Sequence, residues 1–403
     1  RLEHNVPQII SALQHQAYGD YWRSRAIDFK KIKCPMYAVS GWADGSYVSA
    51  VGEALNELEV PKKALIGAWG HRFPYMGVPG PAVGFLQETL RWFDHWMRGK
   101  PGNKSGGIMS EPMLTAWMAE GVPAKNYYPE SPGQWVAEKT WPSKRIKPKK
   151  WAMNGDGRLA DRAGPAVKLS WQSPLTTGLG SGELMPWFQH GASPEMPEDQ
   201  RADDGKSLTF DSAPLANRME ILGTPNVDLT FSVDRPTAFV CVRLCDVAPG
   251  GASTRVTYAA LNLSHITKDS EHPSPLVPGK VYKVRVPLID TGYAFKKGHR
   301  IRVAVSTTYW PLIWPSPEPV TLTLHAGKCA LELPVRPTAG APKPVPWKPV
   351  EAAEPFKRTV LTPGSRTRTI RTDLLPGETV VEVADSSGRN LYDEFGMEAE
   401  ARS

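Results

Sequence analysis

The first hundred residues alternate between helix-like and strand-like hydrophobic patterns. Apolar residues recur every three or four positions from Val6 to Leu13, and a second amphipathic stretch follows, which predicts helices within residues 1–32. Two short apolar runs then predict buried strands, and a helix-like pattern follows each run. The predicted order is strand 34–39, helix 46–58, strand 64–67 and helix 82–98. Short connections in such an order are typical of the closing part of a doubly wound parallel sheet.

After residue 107 the pattern changes to short alternating runs separated by turn residues. The clearest strand candidates are 207–210, 227–233, 238–244, 255–261, 281–286, 301–305 and 320–324. This spacing predicts an all-β sandwich of the jelly-roll type. Further strand candidates at 368–371 and 379–383 follow a Pro-rich stretch that reads as an extended connector.

Composition supports a globular protein rich in β-structure. Of 403 residues, 41% are hydrophobic and 22% charged, while 39 Pro and 35 Gly favour turns over long helices. No apolar run approaches the ~18 residues of a membrane span, so we expect no membrane partner.

Charge and cysteine usage exclude other classes. The net charge is +7, but the basic runs 144–150 and 366–371 contain no aromatic residues that could stack on bases, so we expect no nucleic acid partner. Four cysteines are too few for a disulfide scaffold and favour a cytoplasmic protein with reduced thiols. They are Cys34, Cys241, Cys245 and Cys329. The histidines show no metal-ligand spacing, so we expect neither a metal nor another cofactor.

The candidate chemistry lies where the two predicted parallel strands end. Asp44 follows the first strand and His71 follows the second. In α/β-hydrolases the catalytic partners come in the order Ser, Asp or Glu, then His. No Gly-x-Ser-x-Gly string precedes Asp44, and the nearest string, at 178–182, has Ser181 in the wrong register. The spacing alone supports an alternative equally well, in which Asp44 caps the following helix and His71 is an ordinary loop residue.

Several motifs in fixed order carry a family resemblance. They are Lys-Cys-Pro at 33–35, Gly-Trp-Ala-Asp-Gly at 41–45, Gly-Ala-Trp-Gly-His at 67–71, and the longer matches at 90–99, 155–159, 208–225 and 295–302. This set resembles the CocE/NonD hydrolases, the family of X-Pro dipeptidyl-peptidases, cocaine esterase and α-amino acid ester hydrolases. The family combines an α/β-hydrolase domain, interrupted by a helical cap, with a jelly-roll domain.

The resemblance implies a domain plan in which the chain is the later part of such a hydrolase. The end of the cap corresponds to residues 1–32, the C-terminal part of the α/β-hydrolase domain to 33–107, a connecting segment to 108–150, and the jelly roll to 151–403. It also implies that Asp44 and His71 are the triad acid and base. The nucleophile Ser and the oxyanion hole are then expected on sequence before residue 1.

These expectations define a function and two rivals. The resemblance implies a serine hydrolase of small acyl esters or amides, including X-Pro peptides, that is inactive without its nucleophile segment. We expect partners in an N-terminal chain or segment that carries the Ser, and in a homo-oligomer. The rivals are a non-catalytic jelly-roll binding module and a structural subunit.

Overall fold

The computed structural model describes residues 6–98, 107–184, 186, 195–266 and 269–402. The helices in these residues are α1 Gln8–Gln14, α2 Asp20–Arg23, α3 Tyr47–Glu57, α4 Phe85–Met97 and α5 Arg201–Asp204. The strands up to residue 211 are β1 Met36–Gly41, β2 Lys62–Gly67, β3 Leu114–Glu120, β4 Gly133–Glu138, β5 Lys147–Met153, β6 Leu159–Ala160, β7 Val167–Trp171 and β8 Leu208–Asp211.

The remaining strands build most of the sandwich and a C-terminal extension. Those of the sandwich are β9 Met219–Gly223, β10 Asn226–Val233, β11 Phe239–Val247, β12 Ser253–Asn262, β13 Tyr282–Pro287, β14 Thr291–Phe295, β15 Arg300–Ser306, β16 Leu322–Ala326 and β17 Cys329–Arg336. Those of the extension are β18 Arg358–Thr362, β19 Ser365–Asp373, β20 Glu378–Ser386, β21 Arg389–Tyr392 and β22 Met397–Ala399.

The N-terminal part has the predicted strand–helix alternation. Strands β1, β2 and β3 are parallel, with Val39 opposite Leu65 and Leu65 opposite Thr115. Helix α3 connects β1 to β2, and α4 lies between β2 and β3 in the chain. Strand β2 is buried almost throughout, as its apolar run predicts.

Helix α4 departs from the expected packing. Its apolar stripe is largely exposed, and Met97 at its end is 77% exposed. The helix instead buries Trp92 and Glu88, and the Glu88 carboxylate accepts a hydrogen bond from the Tyr37 hydroxyl at 2.9 Å. Gly99 follows the predicted helix 82–98 and is of the type that commonly ends helices, and it lies outside the described residues.

Helix α1 also turns its apolar residues outward, and none of them is buried. The helical content of residues 6–32 is limited to α1, α2 and a short 3₁₀ turn. The expected helices are therefore present but short.

The parallel strands continue into the sandwich rather than forming a sheet of their own. Strand β3 is parallel to β14, and the sheet then runs through β9, β17, β10, β16 and β7. A second, four-stranded sheet has the order β12, β11, β15 and β8. The segment 108–150, expected to be a connection, contains β3, β4 and the first part of β5.

The main core lies between these two sheets. Fully buried residues come from both of them, among them Phe231 and Phe295 from the large sheet and Val242 and Val303 from the small one. The alternation of inward apolar and outward polar residues along these strands is the pattern that predicted a sandwich.

The structure also shows the state of the cysteines and the length of the helices. All four cysteines are free, and burial raises the pKa of the Cys241 and Cys245 thiols to about 12. Among the described residues, none of the helices combines the length and apolar character needed to cross a membrane.

Candidate active site

Adjacent parallel strands bring Asp44 and His71 together. Because β1 and β2 run side by side in the same direction, the loops after them leave the sheet at the same edge. The Asp44 N–H donates to the Gly41 carbonyl at 3.0 Å, which folds the first loop back on the strand end. Both sequence-predicted residues therefore lie in one site.

The two side chains form a direct hydrogen bond. His71 Nδ1 lies 2.7 Å from Asp44 Oδ1. An ionised carboxylate can only accept, so Nδ1 carries the proton and Nε2 is left as the basic nitrogen. The Asp44 side chain is 12% exposed and that of His71 is 42% exposed. The acid is thus enclosed while the imidazole can be reached from outside.

Further contacts hold this pair in place. The Ser40 hydroxyl donates to Asp44 Oδ2 at 3.2 Å, so both carboxylate oxygens are engaged. The Tyr47 ring packs beside the imidazole with ring centroids 5.6 Å apart. The His71 backbone N–H donates to the Pro186 carbonyl at 3.2 Å.

The sequence pattern does not by itself identify these supporting groups. Ser40 lies four residues before Asp44, and this spacing across a strand end is a usable signal. Ser46 occupies the N-cap position of α3 without a side-chain hydrogen bond to the helix. Pro186 comes from a distant segment, and no local pattern indicates its contact with His71.

Two tryptophans flank the pair: Trp69 is buried, whereas Trp42 is partly buried and also lines a cavity. Trp69 is almost fully buried, and a Cβ added at Gly67 would lie 2.2 Å from its ring. A Cβ at Gly41 would lie 2.5 Å from the same indole. The Trp42 Nε1–H donates to the Trp117 carbonyl at 2.5 Å, which ties the Asp44 loop to β3. Trp69 therefore lies against the ends of both strands that carry the site.

A cavity of about 110 Å³ lies beside the Asp44 loop. Part of its lining comes from the loop after β1, with Ala43 and Gly45, and from Pro186, which contacts His71. Other lining residues come from the sandwich, among them Arg255 and Tyr258 of β12. The cavity is thus formed jointly by the two parts of the chain.

Ionisable groups on the cavity wall are shifted by their surroundings. Burial raises the pKa of Asp290, although a hydrogen bond from Thr224 opposes the shift. Burial likewise raises the pKa of Tyr128, against the opposing effect of Arg255. For Arg255 burial lowers the pKa, but the facing hydroxyls of Tyr309 and Tyr258 leave it above its usual value.

The chemistry available here is proton transfer. Within the described residues, no group of three or more His, Cys, Asp and Glu side chains is arranged to hold a metal ion. What is present is an imidazole whose tautomer is set by a carboxylate, next to a cavity. This arrangement suits a general base and acid in acyl transfer.

Comparison with known families covers most of the chain. Residues 106–346 match the model of the X-Pro dipeptidyl-peptidase C-terminal non-catalytic domain. Residues 2–72 match the model of the X-Pro dipeptidyl-peptidase (S15 family). Asp44 and His71 both lie within the second match.

Two individual relatives are similar in sequence to most of this chain. A putative serine esterase of Mycobacterium bovis is 27% identical over 312 residues, which cover 71% of this chain and 46% of the relative. A putative Xaa-Pro dipeptidyl-peptidase of Streptomyces avermitilis is 24% identical over 361 residues, which cover 76% of this chain and 48% of the relative. The chain thus spans about half the length of the curated relatives it matches.

A solved structure shows the shared fold. The crystal structure of a CocE/NonD family hydrolase from Staphylococcus aureus has a TM-score of 0.61 and 14% identity, with 82% of this chain and 59% of that chain covered.

Proposed function

We propose that this chain, a member of the CocE/NonD family of X-Pro dipeptidyl-peptidases and related serine hydrolases, supplies the triad acid and base of such an enzyme. The observation that carries the proposal is the 2.7 Å hydrogen bond between His71 Nδ1 and Asp44 Oδ1 at the ends of adjacent parallel strands. The proposed substrates are small acyl esters or amides, with X-Pro peptides as one class to test.

In the proposed mechanism His71 Nε2 takes the proton of a serine hydroxyl as its oxygen attacks the acyl carbon. The imidazolium that forms is stabilised by Asp44, and it then gives its proton to the leaving alcohol or amine. Water repeats the sequence to release the acid and regenerate the serine. Ser40 and Tyr47 keep the pair oriented through both steps.

We propose that the nucleophile and the oxyanion hole lie outside these 403 residues, on the same polypeptide or on a separate chain. The absence of a Gly-x-Ser-x-Gly string from the sequence supports this. So does the exposed apolar stripe of α4, because such a stripe usually packs against another element. We further propose that the chain is the end of the helical cap and the α/β-hydrolase sheet, followed by a jelly roll.

A labelling experiment tests the split of the triad. The purified protein, as isolated, is treated with a fluorophosphonate probe and examined by denaturing intact-mass spectrometry. The expected result is a labelled second polypeptide, or a labelled species heavier than this 44.3 kDa chain. A single unlabelled species of 44.3 kDa would contradict the proposal.

Variants then test the proposed roles. In the assembly that contains the nucleophile, His71→Ala is expected to lower ester hydrolysis by about 10³-fold or more, because the general base is lost. The matched control is His272→Ala, which removes an exposed imidazole 3.0 Å from the Asp269 carboxylate and is expected to leave the rate unchanged. Equal rates for the His71 variant and the unaltered protein would exclude the mechanism.

One observation favours a second candidate, a non-catalytic binding role. The family description matched by residues 106–346 is that of a non-catalytic domain. This candidate predicts saturable ligand binding by the chain alone and no effect of His71→Ala on any measured activity.

A further inference from the structure

Arg255 is placed where the sandwich faces the candidate active site. It lies near the start of β12 and lines the cavity beside the Asp44 loop. Its Nη1 donates to the Tyr309 hydroxyl at 2.9 Å. Its guanidinium carbon lies 4.4 Å from the centre of the Tyr258 ring and 5.7 Å from that of Tyr309.

Arg255 is partly buried, and its contacts differ from those of the fully buried arginines. Within the described part of the chain, Arg255 forms no ion pair with an Asp or Glu side chain. By contrast, Arg243 lies 2.9 Å from Asp204, and Arg336 lies 2.8 Å from Glu138. Aromatic faces and one phenol thus surround Arg255 where its counterparts have carboxylates.

The acidic groups of the cavity wall are turned to other partners. Glu183 forms an ion pair with Arg366 from β19. Asp290 accepts a hydrogen bond from the Thr224 hydroxyl, and its other oxygen faces helix α3 at Gly52. Neither carboxylate therefore neutralises Arg255, and a partly buried charge without a counter-ion favours an anionic ligand.

We propose that Arg255 binds the carboxylate of a small organic acid in this cavity, so that the preferred substrates carry an anionic group on the part that enters it. The planar guanidinium offers two parallel N–H donors to a carboxylate, and stacking on the tyrosine holds that plane. The substrate preference rests on the proposed function, because it takes the cavity as part of that substrate site, whereas carboxylate binding itself does not.

The cavity volume limits the size of the ligand. At about 110 Å³ it is somewhat smaller than the ~150 Å³ cavity that accepts benzene in an engineered core, although a mouth adds room for a substituent. Benzoate and benzamide are therefore suitable probes, since they have nearly the same shape and differ in charge.

The test is a ligand-observed NMR titration of the 403-residue chain with benzoate and, separately, with benzamide. We expect benzoate to bind at least tenfold more tightly, because a charge-assisted pair of hydrogen bonds is formed only with the carboxylate. Arg255→Gln is expected to abolish that preference, and Arg255→Lys to retain part of it because the charge remains. Arg162→Gln, at an exposed position, is the matched control and should bind as the unaltered chain does.

Each result decides the proposal. Equal affinity for the two probes, no binding of either, or an unchanged preference in Arg255→Gln would overturn it. Near-UV circular dichroism establishes whether the Gln variant is folded. If it is not, the reduced preference expected of Arg255→Lys provides the decision.

If benzoate binds only when the nucleophile-bearing segment is absent, the partner of Arg255 is an acidic side chain of that segment and the proposal fails. If the chain shows no preference for the carboxylate but still hydrolyses neutral esters with the help of His71, the carboxylate-binding inference is refuted. The proposed function is then unaffected.

Discussion

Single residues at the two strand ends control the geometry of the site. Asp44 and His71 are held by side-chain contacts from Ser40 and Tyr47, which lie in the same short stretch of chain as Asp44. Beneath them, Trp69 lies directly against the backbone of Gly67. The absence of a side chain at that glycine is what lets the indole fit there.

The Gly67–Trp69 contact leads to a stability prediction. Gly67→Ala is expected to lower the free energy of unfolding by about 1–3 kcal/mol, because the new methyl group would overlap the buried indole. Urea denaturation followed by tryptophan fluorescence measures the change. Gly250→Ala is the control, since a Cβ there meets nothing within 4 Å. An equal, small effect of both substitutions would show that Trp69 can move aside without cost.

Among the elements, the hairpin of β19 and β20 connects the C-terminal extension to the site. Arg366 and Arg368 of β19 both form ion pairs with Glu195, and Arg366 also contacts Glu183. Glu183 lines the cavity, as does Met196, the neighbour of Glu195. A two-stranded hairpin is marginally stable by itself in water, so these ion pairs help to hold it on the body.

This attachment predicts a local effect on the hairpin. Glu195→Gln should destabilise the hairpin by about 1–3 kcal/mol, because two largely enclosed arginines lose a charged partner. Native-state hydrogen exchange of the β19 amides should therefore speed up. Glu382→Gln, exposed on β20, removes the same charge without touching the arginines and should leave exchange unchanged. Unchanged protection in the Glu195 variant would show that backbone pairing alone holds the hairpin.

In the molecule as a whole, the N-terminal part and the sandwich share one sheet and meet again at Asp290. The loop between β13 and β14 carries Asp290, whose N–H donates to the Ser49 hydroxyl of α3 at 3.3 Å. Its carboxylate accepts from Thr224 at the other side of the junction. A partly buried carboxyl therefore lies where the two parts join.

Its raised pKa predicts a pH-dependent contribution to stability. Because the folded-state pKa of Asp290 is above its usual value near 3.8, the unfolded chain releases this proton first. The contribution of the protonated carboxyl is then present at low pH and is lost as pH rises through the folded-state pKa. The stability of Asp290→Asn relative to the unaltered protein should accordingly increase as pH rises from about 4, and then level off.

Urea denaturation between pH 3.5 and about pH 8 measures this difference. Asp161→Asn, at an exposed position, controls for the loss of one negative charge. A stability difference for the Asn variant that stays constant or falls with rising pH would refute the sign of this prediction.

The sequence by itself determined the local elements and placed the two candidate residues, Asp44 and His71, after neighbouring strands. Periodicity located β1, α3, β2 and α4, because burying one face imposes a period that is visible in the chain. It also located seven sandwich strands, namely β8, β10, β11, β12, β13, β15 and β16. The order of Asp44 and His71 after two predicted parallel strands was sufficient to expect them at one edge. Hydrophobic periodicity, however, predicted neither the exposure of the α4 stripe nor the continuity of one sheet through both parts.

Only the tertiary structure decided which distant groups meet. The contact of Pro186 with His71, the cavity between the two parts, and the contacts of Arg255 all join residues far apart in sequence. Such contacts depend on the relative placement of whole elements, which packing determines and which no local pattern encodes. Residue types and periods along a chain report what each segment buries, whereas the partner against which it is buried emerges only when the segments are packed together.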